Sequence, residues 1–235
     1  MPTDHSFPGR RISAVSMIVG PLLLLAGALT RVPFPFSFTE QLAAVQRAPG
    51  LVIGGYTAFL AGNVLMWPAV VTLARGIGRT HPMWAAWGGA FVIFGLFERT
   101  FHAGINQTAF RLVLRRGLDS ATAFVQDSYQ DTHLFSYLSF TIMFGWYVLA
   151  FGAYRSRVLG LTGSIALASM GTVPLGVLKG TDAFTIAGTL GLCVAFLPLG
   201  FRLVREGPRP SRRSVLLTLL GTAVVGLLAY ASTLG

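Results

Sequence analysis

Seven apolar runs, each about as long as a bilayer-spanning helix, constrain this chain more than any other feature of its sequence. An α-helix needs about 20 predominantly apolar residues to cross the hydrocarbon core. Inside lipid it is also one of the few structures that satisfies its own backbone hydrogen bonds. We therefore predict an all-α, polytopic membrane bundle with seven transmembrane helices, folded as a single domain over residues 1–235. The runs lie at residues 12–30, 51–74, 83–106, 133–154, 158–178, 183–201 and 214–230.

The composition supports a membrane location and argues against nucleic acid as a partner. Only 11% of the residues are charged and 53% are hydrophobic, whereas a soluble domain usually carries about 25% charged residues. The net charge of +10 comes mostly from arginines in the short links between apolar runs, a pattern typical of topogenic arginine. We therefore expect membrane lipids and a hydrophobic small molecule as partners. The sequence does not indicate an oligomeric state.

The first apolar run has an alternative interpretation as a cleaved signal peptide. Arg10 and Arg11 precede it, and Ala26-Gly27-Ala28 has the small-x-small form of a cleavage site. Cleavage there would leave six transmembrane helices. The run at 12–30 is longer than the apolar core of a signal peptide, roughly 7 to 15 residues, so an uncleaved first span is favoured.

The distribution of basic residues predicts a cytoplasmic N-terminus and an extracytoplasmic C-terminus, because cytoplasmic links carry the excess of Lys and Arg. Seventeen of the 18 basic residues are arginine, a bias typical of GC-rich genomes, which favours a bacterial inner membrane. With this orientation six basic residues lie outside, namely Arg31, Arg47, Arg111, Arg115, Arg116 and Lys179. Eleven lie inside, namely Arg10, Arg11, Arg75, Arg79, Arg155, Arg157, Arg202, Arg205, Arg209, Arg212 and Arg213.

The third run contains polar residues at helical spacing. Glu98, His102 and Asn106 are spaced i, i+4, i+8, so they lie along nearly one face of a helix. Ionisable residues inside a bilayer are costly and usually face the bundle interior or a wet cavity. This face is therefore a candidate functional site, in the outer half of the membrane.

A second polar stripe leads into the fourth run, on a helix predicted to start near Ser120. Because a short link joins the third and fourth spans, we expect them to be antiparallel neighbours with the two stripes face to face. The candidate catalytic residues are Glu98, His102, His133 and Asp131. The candidate substrate-binding residues are Asn106, Gln126, Gln130, Tyr137, Phe94, Phe101, Trp146 and Asn63.

The first functional hypothesis is a membrane-embedded acid–base enzyme. Glu98 would be a buried general acid or base, oriented by His102, and the surrounding phenylalanines would form an apolar pocket for a lipid-like or isoprenoid substrate. Aromatic faces also stabilise cations, as a protonation-initiated cyclisation by a lyase or isomerase requires. Seven spans in 235 residues is similar in architecture to the membrane-bound terpene cyclases of meroterpenoid pathways, a resemblance that extends to no motif.

Other interpretations compete, and the sequence leaves open whether the chain is an enzyme. The stripe fits a small transporter, a sensor or another ligand-binding membrane protein without catalysis. It also fits a structural pair between Glu98 and Arg99. No cofactor is predicted, although Glu98, His102 and His133 have a spacing that a metal could use, and a haem could lie between the two histidines. The single Cys193 excludes a cysteine-cluster metal site. Lys179 and Asp182 are expected to form a surface turn.

Overall fold

The computed structural model describes residues 7–130, 133–174, 176–206 and 212–232. Within these ranges every regular element is a helix. The helices are α1 (Arg10–Leu29), α2 (Phe38–Arg47), α3 (Pro49–Gly78), α4 (Pro82–Arg116), α5 (Leu118–Gln130), α6 (Leu134–Leu138), α7 (Phe140–Arg155), α8 (Leu161–Ala168), a 3₁₀ turn at Ser169–Thr172, α9 (Ala183–Arg205) and α10 (Arg212–Ala231). Residues 205–235 form a separate unit that contains α10, and residues 1–204 form the unit that holds the candidate site.

Among the described residues, four helical segments are long and apolar enough to cross a membrane. They are Arg10–Leu29, Pro49–Gly78, Leu134–Arg155 and Ala183–Arg205. The predicted all-α fold class is confirmed for the described residues, but the predicted count of seven spans is not confirmed. Helix α4 has 35 residues and a length of about 52 Å at 1.5 Å per residue. Helix α4 is not among the four apolar segments because Glu98 and Arg99 interrupt its apolar run.

The predicted fifth span, at 158–178, is not one helix. Helix α8 has eight residues and the 3₁₀ turn four, after which Val173 adopts an extended conformation (φ −66°, ψ 124°). The physical reason is Pro174, which disfavours the helical region for the residue before it. We call residues 173–182 the cavity loop; its Leu175 lies outside the described residues.

The predicted helix from Ser120 into the fourth run is divided into α5, α6 and α7. His133 has an extended backbone (φ −139°, ψ 175°), and its N–H donates to Ser136 Oγ at 3.3 Å at the start of α6. Such a hydrogen bond begins a new helix rather than continuing the old one. Gln126 and Gln130 therefore lie on a different helix from Tyr137.

Helices α1 and α3 are antiparallel and pack through glycines. A Cβ on Gly62 would lie 2.7 Å from Leu24 N, and a Cβ on Gly20 would lie 3.0 Å from Met66 Sδ. Small residues permit such close backbone approach in membrane helices. The first apolar run is thus an integral part of the bundle.

Helices α4 and α7 are also closely packed. A Cβ on Gly88 would lie 2.8 Å from Leu149 Cα, and a Cβ on Gly95 would lie 2.9 Å from Ile142 Cα. Because the higher residue number on α4 meets the lower one on α7, the two helices run antiparallel. The predicted pairing of the third and fourth spans is confirmed.

Candidate functional site

A cavity of about 70 Å³ lies between α3, α4 and the cavity loop, beside the residues that follow α1. A water molecule needs roughly 10–15 Å³ of such volume, so the cavity has room for a few waters or one small ionic group. Its cationic members are Arg31, Arg99 and Lys179. We refer to it as the cationic cavity.

Arg31 is held rigidly beside the cavity. Its side chain is 4% exposed. Its Nε donates to the carbonyl of Gly27 at 2.9 Å, and one terminal nitrogen donates to the carbonyl of Lys179 at 3.2 Å. The guanidinium also lies over the rings of Tyr56 (4.4 Å to the centroid) and Phe59 (4.9 Å). Hydrogen bonds and ring contacts thus position this charge.

Arg99 enters the same cavity from α4. One terminal nitrogen donates to the carbonyl of Val173 at 3.5 Å, a long and therefore weak hydrogen bond. Its Nε is buried and has no acceptor among the described residues. No carboxylate of the described chain lies within 4.0 Å of its guanidinium. Arg99 therefore has hydrogen-bonding capacity to spare.

The cavity loop supplies the third cation and has an irregular backbone. Gly176 has φ +117°, and a Cβ there would lie 2.9 Å from Tyr129 Oη. Leu178 has φ 52°, and its N–H donates to Asn106 Oδ1 at 2.9 Å. The carbonyl of Lys179 accepts from Tyr56 Oη at 3.1 Å. These bonds fix the loop through its main chain. The Lys179 ammonium lies over the rings of Phe36 (5.5 Å to the centroid) and Tyr129 (5.8 Å).

Two further polar side chains line the cavity. Asn63 is 2% exposed and donates to the carbonyl of Leu96 at 2.9 Å and to Thr100 Oγ1 at 3.1 Å. Its Oδ1 has no donor among the described residues. His102 lies in the lining one turn of α4 from Arg99. The wall of the cavity is therefore polar, and a buried polar atom without a hydrogen-bond partner lowers the stability of the protein.

The charged residues that line the cavity are all positive. Of the described residues, none that lines it is acidic, whereas three carry a full positive charge. Guanidinium groups bind carboxylate and phosphate through paired, charge-assisted hydrogen bonds. The arrangement is suited to an anionic group.

Glu98 lies on a different side of α4. It is fully buried and its Oε1 accepts a hydrogen bond from Ser139 Oγ at 2.6 Å. His102 Nε2 is 3.7 Å from the same oxygen, too far for a hydrogen bond. Glu98 Oε2 has no donor among the described residues. Helix geometry explains why Glu98 and Asn106 point in different directions. At 100° per residue, positions i and i+8 differ by about 80° around the helix axis.

His133 lies near this carboxylate, but its closest packing is against rings. Its ring centroid is 4.8 Å from that of Phe101 and 6.2 Å from that of Phe135. His133 Nδ1 is buried without a partner among the described residues. In the described part of the chain, no group of three or more His, Cys, Asp or Glu residues is placed to hold a metal.

The other predicted site residues are scattered. Trp146 is 2% exposed, belongs to the hydrophobic core and does not line the cavity. Phe94 is 43% exposed and Tyr137 71% exposed, and Gln126 and Gln130 are exposed. These four do not line the cavity. The prediction for Asp131 lies outside the described residues. Of the predicted substrate-binding residues, Asn63 and Asn106 line the cavity.

Sequence reasoning missed the cations. Arg31 and Lys179 resemble topogenic residues at helix ends, and Arg99 was considered only as a partner for Glu98. Lys179, expected in a surface turn, lines the cavity. Asp182 Oδ1 accepts from Thr185 N at 2.8 Å at the start of α9. The available signal was the i, i+3, i+7 spacing of Arg99, His102 and Asn106, which places these three on one helix face.

Comparisons with known proteins do not indicate a function for this chain. No protein-family model, curated protein or solved structure matches the chain. The functional conclusion must therefore come from the charge, burial and hydrogen bonds of the cationic cavity.

Proposed function

We propose that the chain is a multi-pass membrane protein whose cationic cavity binds the anionic group of a small molecule, as the ligand site of a small transporter or sensor. The observation that carries this proposal is the convergence of Arg31, Arg99 and Lys179 on a cavity that no acidic residue of the described chain lines. Catalysis is not needed for this role.

The membrane placement draws on helix lengths and on the arginines. Four helices are long and apolar enough to cross a bilayer. The arginine-rich links of the sequence favour a cytoplasmic N-terminus and an extracytoplasmic C-terminus. In that orientation the cationic cavity lies toward the outer surface, because it follows the end of α1, the first predicted span.

Burial makes a purely structural role for these charges unfavourable. An ion withdrawn from water costs several kcal/mol unless it is paired. Neither Arg31 nor Arg99 has a carboxylate partner within 4.0 Å among the described residues. Arg31 recovers part of the cost through two carbonyls and two rings. An anion in the cavity would recover the rest.

The irregular backbone of the cavity loop supports the same function. Non-helical backbone within a membrane protein is tolerated where it is buried in protein or lines a cavity, and transporter sites are commonly built at such breaks between helices. Gly176, Leu178 and Lys179 all line this cavity. The cavity loop, which separates α8 from α9, would thus bind the ligand.

The proposal predicts saturable binding of a simple anion to the purified, detergent-solubilised protein. Isothermal titration with phosphate, sulfate and acetate should identify at least one that binds. Replacing Lys179 with glutamine should weaken that binding about 10-fold, because a charged hydrogen bond contributes about 1.5–3 kcal/mol and 1.4 kcal/mol is a factor of ten. The fold should persist, since the loop is held through the Lys179 carbonyl.

Arg111→Gln is the matched control for this titration. Arg111 is an exposed arginine on α4 and does not line the cavity, so its loss changes the net charge by the same amount. Equal weakening in both variants would mean that overall charge, rather than the cavity, attracts the anion. Absence of binding by any of the three anions to the wild type would contradict the proposal.

A second candidate function is the acid–base enzyme acting on a lipid-like or isoprenoid substrate. One observation favours it: Glu98 is a buried carboxyl group with one oxygen on Ser139 and the other unpartnered among the described residues. Phe101 and Phe135, stacked at 4.7 Å, supply an aromatic wall nearby. In this function Glu98 would exchange a proton with the substrate.

A further inference from the structure

A second cavity lies at the opposite end of the bundle, where α3, α7 and α9 end. Thr185 in the cationic cavity and Leu199 in this one are both on α9, and 14 residues of helix between them span about 21 Å. The second cavity has a volume of about 760 Å³. We call it the arginine groove.

Four arginines line the groove: Arg75, Arg79, Arg157 and Arg202. Arg75 and Arg79 are spaced i, i+4 on the last turns of α3, so they lie on one helix face. None of the described residues in the lining is acidic. Arg75, Arg79 and Arg157 form no ion pair within the described chain. The groove therefore combines concentrated positive charge with three guanidinium groups, those of Arg75, Arg79 and Arg157, that have no ion-pair partner among the described residues.

The backbone at Arg157 is unusual for a side chain of this size. Its φ is 58°, in the left-handed region where glycine or asparagine is the normal occupant. Hydrogen bonds from Val158 N at 3.1 Å and Leu159 N at 3.2 Å to the carbonyl of Ala153 hold the turn. An arginine that only determined the membrane orientation could occupy any position in the link between α7 and α8. Its presence at a strained position beside the groove suggests that the site of the charge matters.

The rest of the groove is mostly apolar, with Thr72, Thr80 and Ser156 as its other polar side chains. Met17, Leu73, Val158, Leu199 and Leu203 form its walls. A free inorganic anion needs neither apolar walls nor this volume, whereas a phospholipid has a phosphate for the arginines and acyl chains for the walls. Basic pockets between helices at the cytoplasmic face are typical sites for anionic lipids.

We propose that the arginine groove binds the headgroup of an anionic phospholipid, with its glycerol and proximal acyl carbons against the apolar wall. The inference depends on the membrane placement but not on the cationic cavity. Arg79 and Arg157 would pair with the lipid phosphate from two sides, and Arg75 would add charge from the same face of α3. The site would select lipids by charge, since a zwitterionic headgroup brings its own cation.

The test is native mass spectrometry of the detergent-solubilised protein titrated with phosphatidylglycerol or phosphatidylcholine of identical acyl chains. We expect phosphatidylglycerol to bind the wild type at least 10-fold more tightly. The double variant Arg79→Gln with Arg157→Gln should lose most of this preference. The matched double variant Arg111→Gln with Arg115→Gln, at the other end of α4 from the groove, should keep it.

A single variant separates binding from folding. Arg157→Gly relieves the left-handed backbone, so its melting temperature should be equal to or higher than that of the wild type, while its affinity for phosphatidylglycerol should fall several-fold. Equal binding of the two lipids, or unchanged affinity in both groove variants, would overturn the proposal. Full displacement of phosphatidylglycerol by inorganic phosphate would also overturn it, because the groove would then be a site for free anions. Anion titration of the same samples reports on the cationic cavity separately.

Discussion

Replacing Arg99 with glutamine is expected to weaken anion binding by about 10- to 150-fold without destabilising the ligand-free protein. The loss follows from the charge-assisted hydrogen bonds, each worth about 1.5–3 kcal/mol. The unchanged stability of the ligand-free variant distinguishes this role from a structural ion pair, whose loss would destabilise the protein. Removing one partner of a buried pair costs about 3–5 kcal/mol, whereas Arg99 shares its cavity with the like charges of Arg31 and Lys179. Neutralising it relieves repulsion.

Anion affinity by titration and the melting temperature of ligand-free protein together check this expectation. Arg99→Lys is the informative companion, because it keeps the charge and removes the planar fork; binding should fall less than in Arg99→Gln. A drop in melting temperature that corresponds to several kcal/mol, with anion affinity unchanged, would assign Arg99 to the structure and remove it from the site.

Replacing Glu98 with glutamine tests the enzyme as the second candidate. If the Glu98 carboxyl exchanges a proton with substrate, turnover should fall by roughly 100- to 10,000-fold, the usual contribution of a general acid or base. Glutamine keeps the shape and an oxygen to accept from Ser139, which now donates at 2.6 Å. The fold and membrane insertion should therefore persist.

The measurement is product formation from isoprenoid substrates by the reconstituted protein, beside its melting temperature. Glu40→Gln is the control, because Glu40 is an exposed carboxylate on α2 whose contact is with Arg47 at 3.9 Å. Adding His102→Ala to Glu98→Gln should cost little more than Glu98→Gln alone, since residues acting as one catalytic unit are strongly non-additive. The enzyme hypothesis is falsified if Glu98→Gln retains full turnover, or loses it only in proportion to the folded protein.

The helical fold could be predicted because hydropathy over about 20 residues is a local property of the sequence. The antiparallel contact of α4 with α7 could also be predicted, because the link between the third and fourth spans is short. The break at 173–182 was harder to foresee, since Pro and Gly occur within continuous membrane helices as well. Besides Pro174, tertiary hydrogen bonds hold the loop in this course: Asn106 accepts from Leu178 N, and Tyr56 donates to the Lys179 carbonyl.

The candidate site was predicted only in part, and the reason is helical geometry. Glu98 and Asn106 are buried and His102 is partly buried on one helix, but positions four residues apart drift by about 40° around the helix axis. Glu98 consequently meets Ser139 on α7, while Asn106 meets the cavity loop. Residues of one polar stripe thus contact two different parts of the bundle.

The cations of the cavity come from three distant parts of the chain, which no local pattern connects. Arg31 follows α1, Arg99 is within α4 and Lys179 precedes α9. Each has an ordinary explanation when read alone: a helix-end charge, an ion-pair partner or a turn residue. Only the packing of α1 and α4 around α3 and the course of the cavity loop bring them together, and these are products of the whole fold.

The central claim is that Arg31, Arg99 and Lys179 together bind an anion, and anomalous diffraction from crystals soaked in selenate tests it most directly. Selenate has the shape and charge of sulfate, and selenium scatters anomalously. We predict an anomalous peak in the cationic cavity, within hydrogen-bonding distance of the Arg99 guanidinium and the Lys179 ammonium, that disappears in Arg99→Gln crystals. A cavity without a peak, with Arg99 paired instead to the carboxylate of Glu98, would contradict the account.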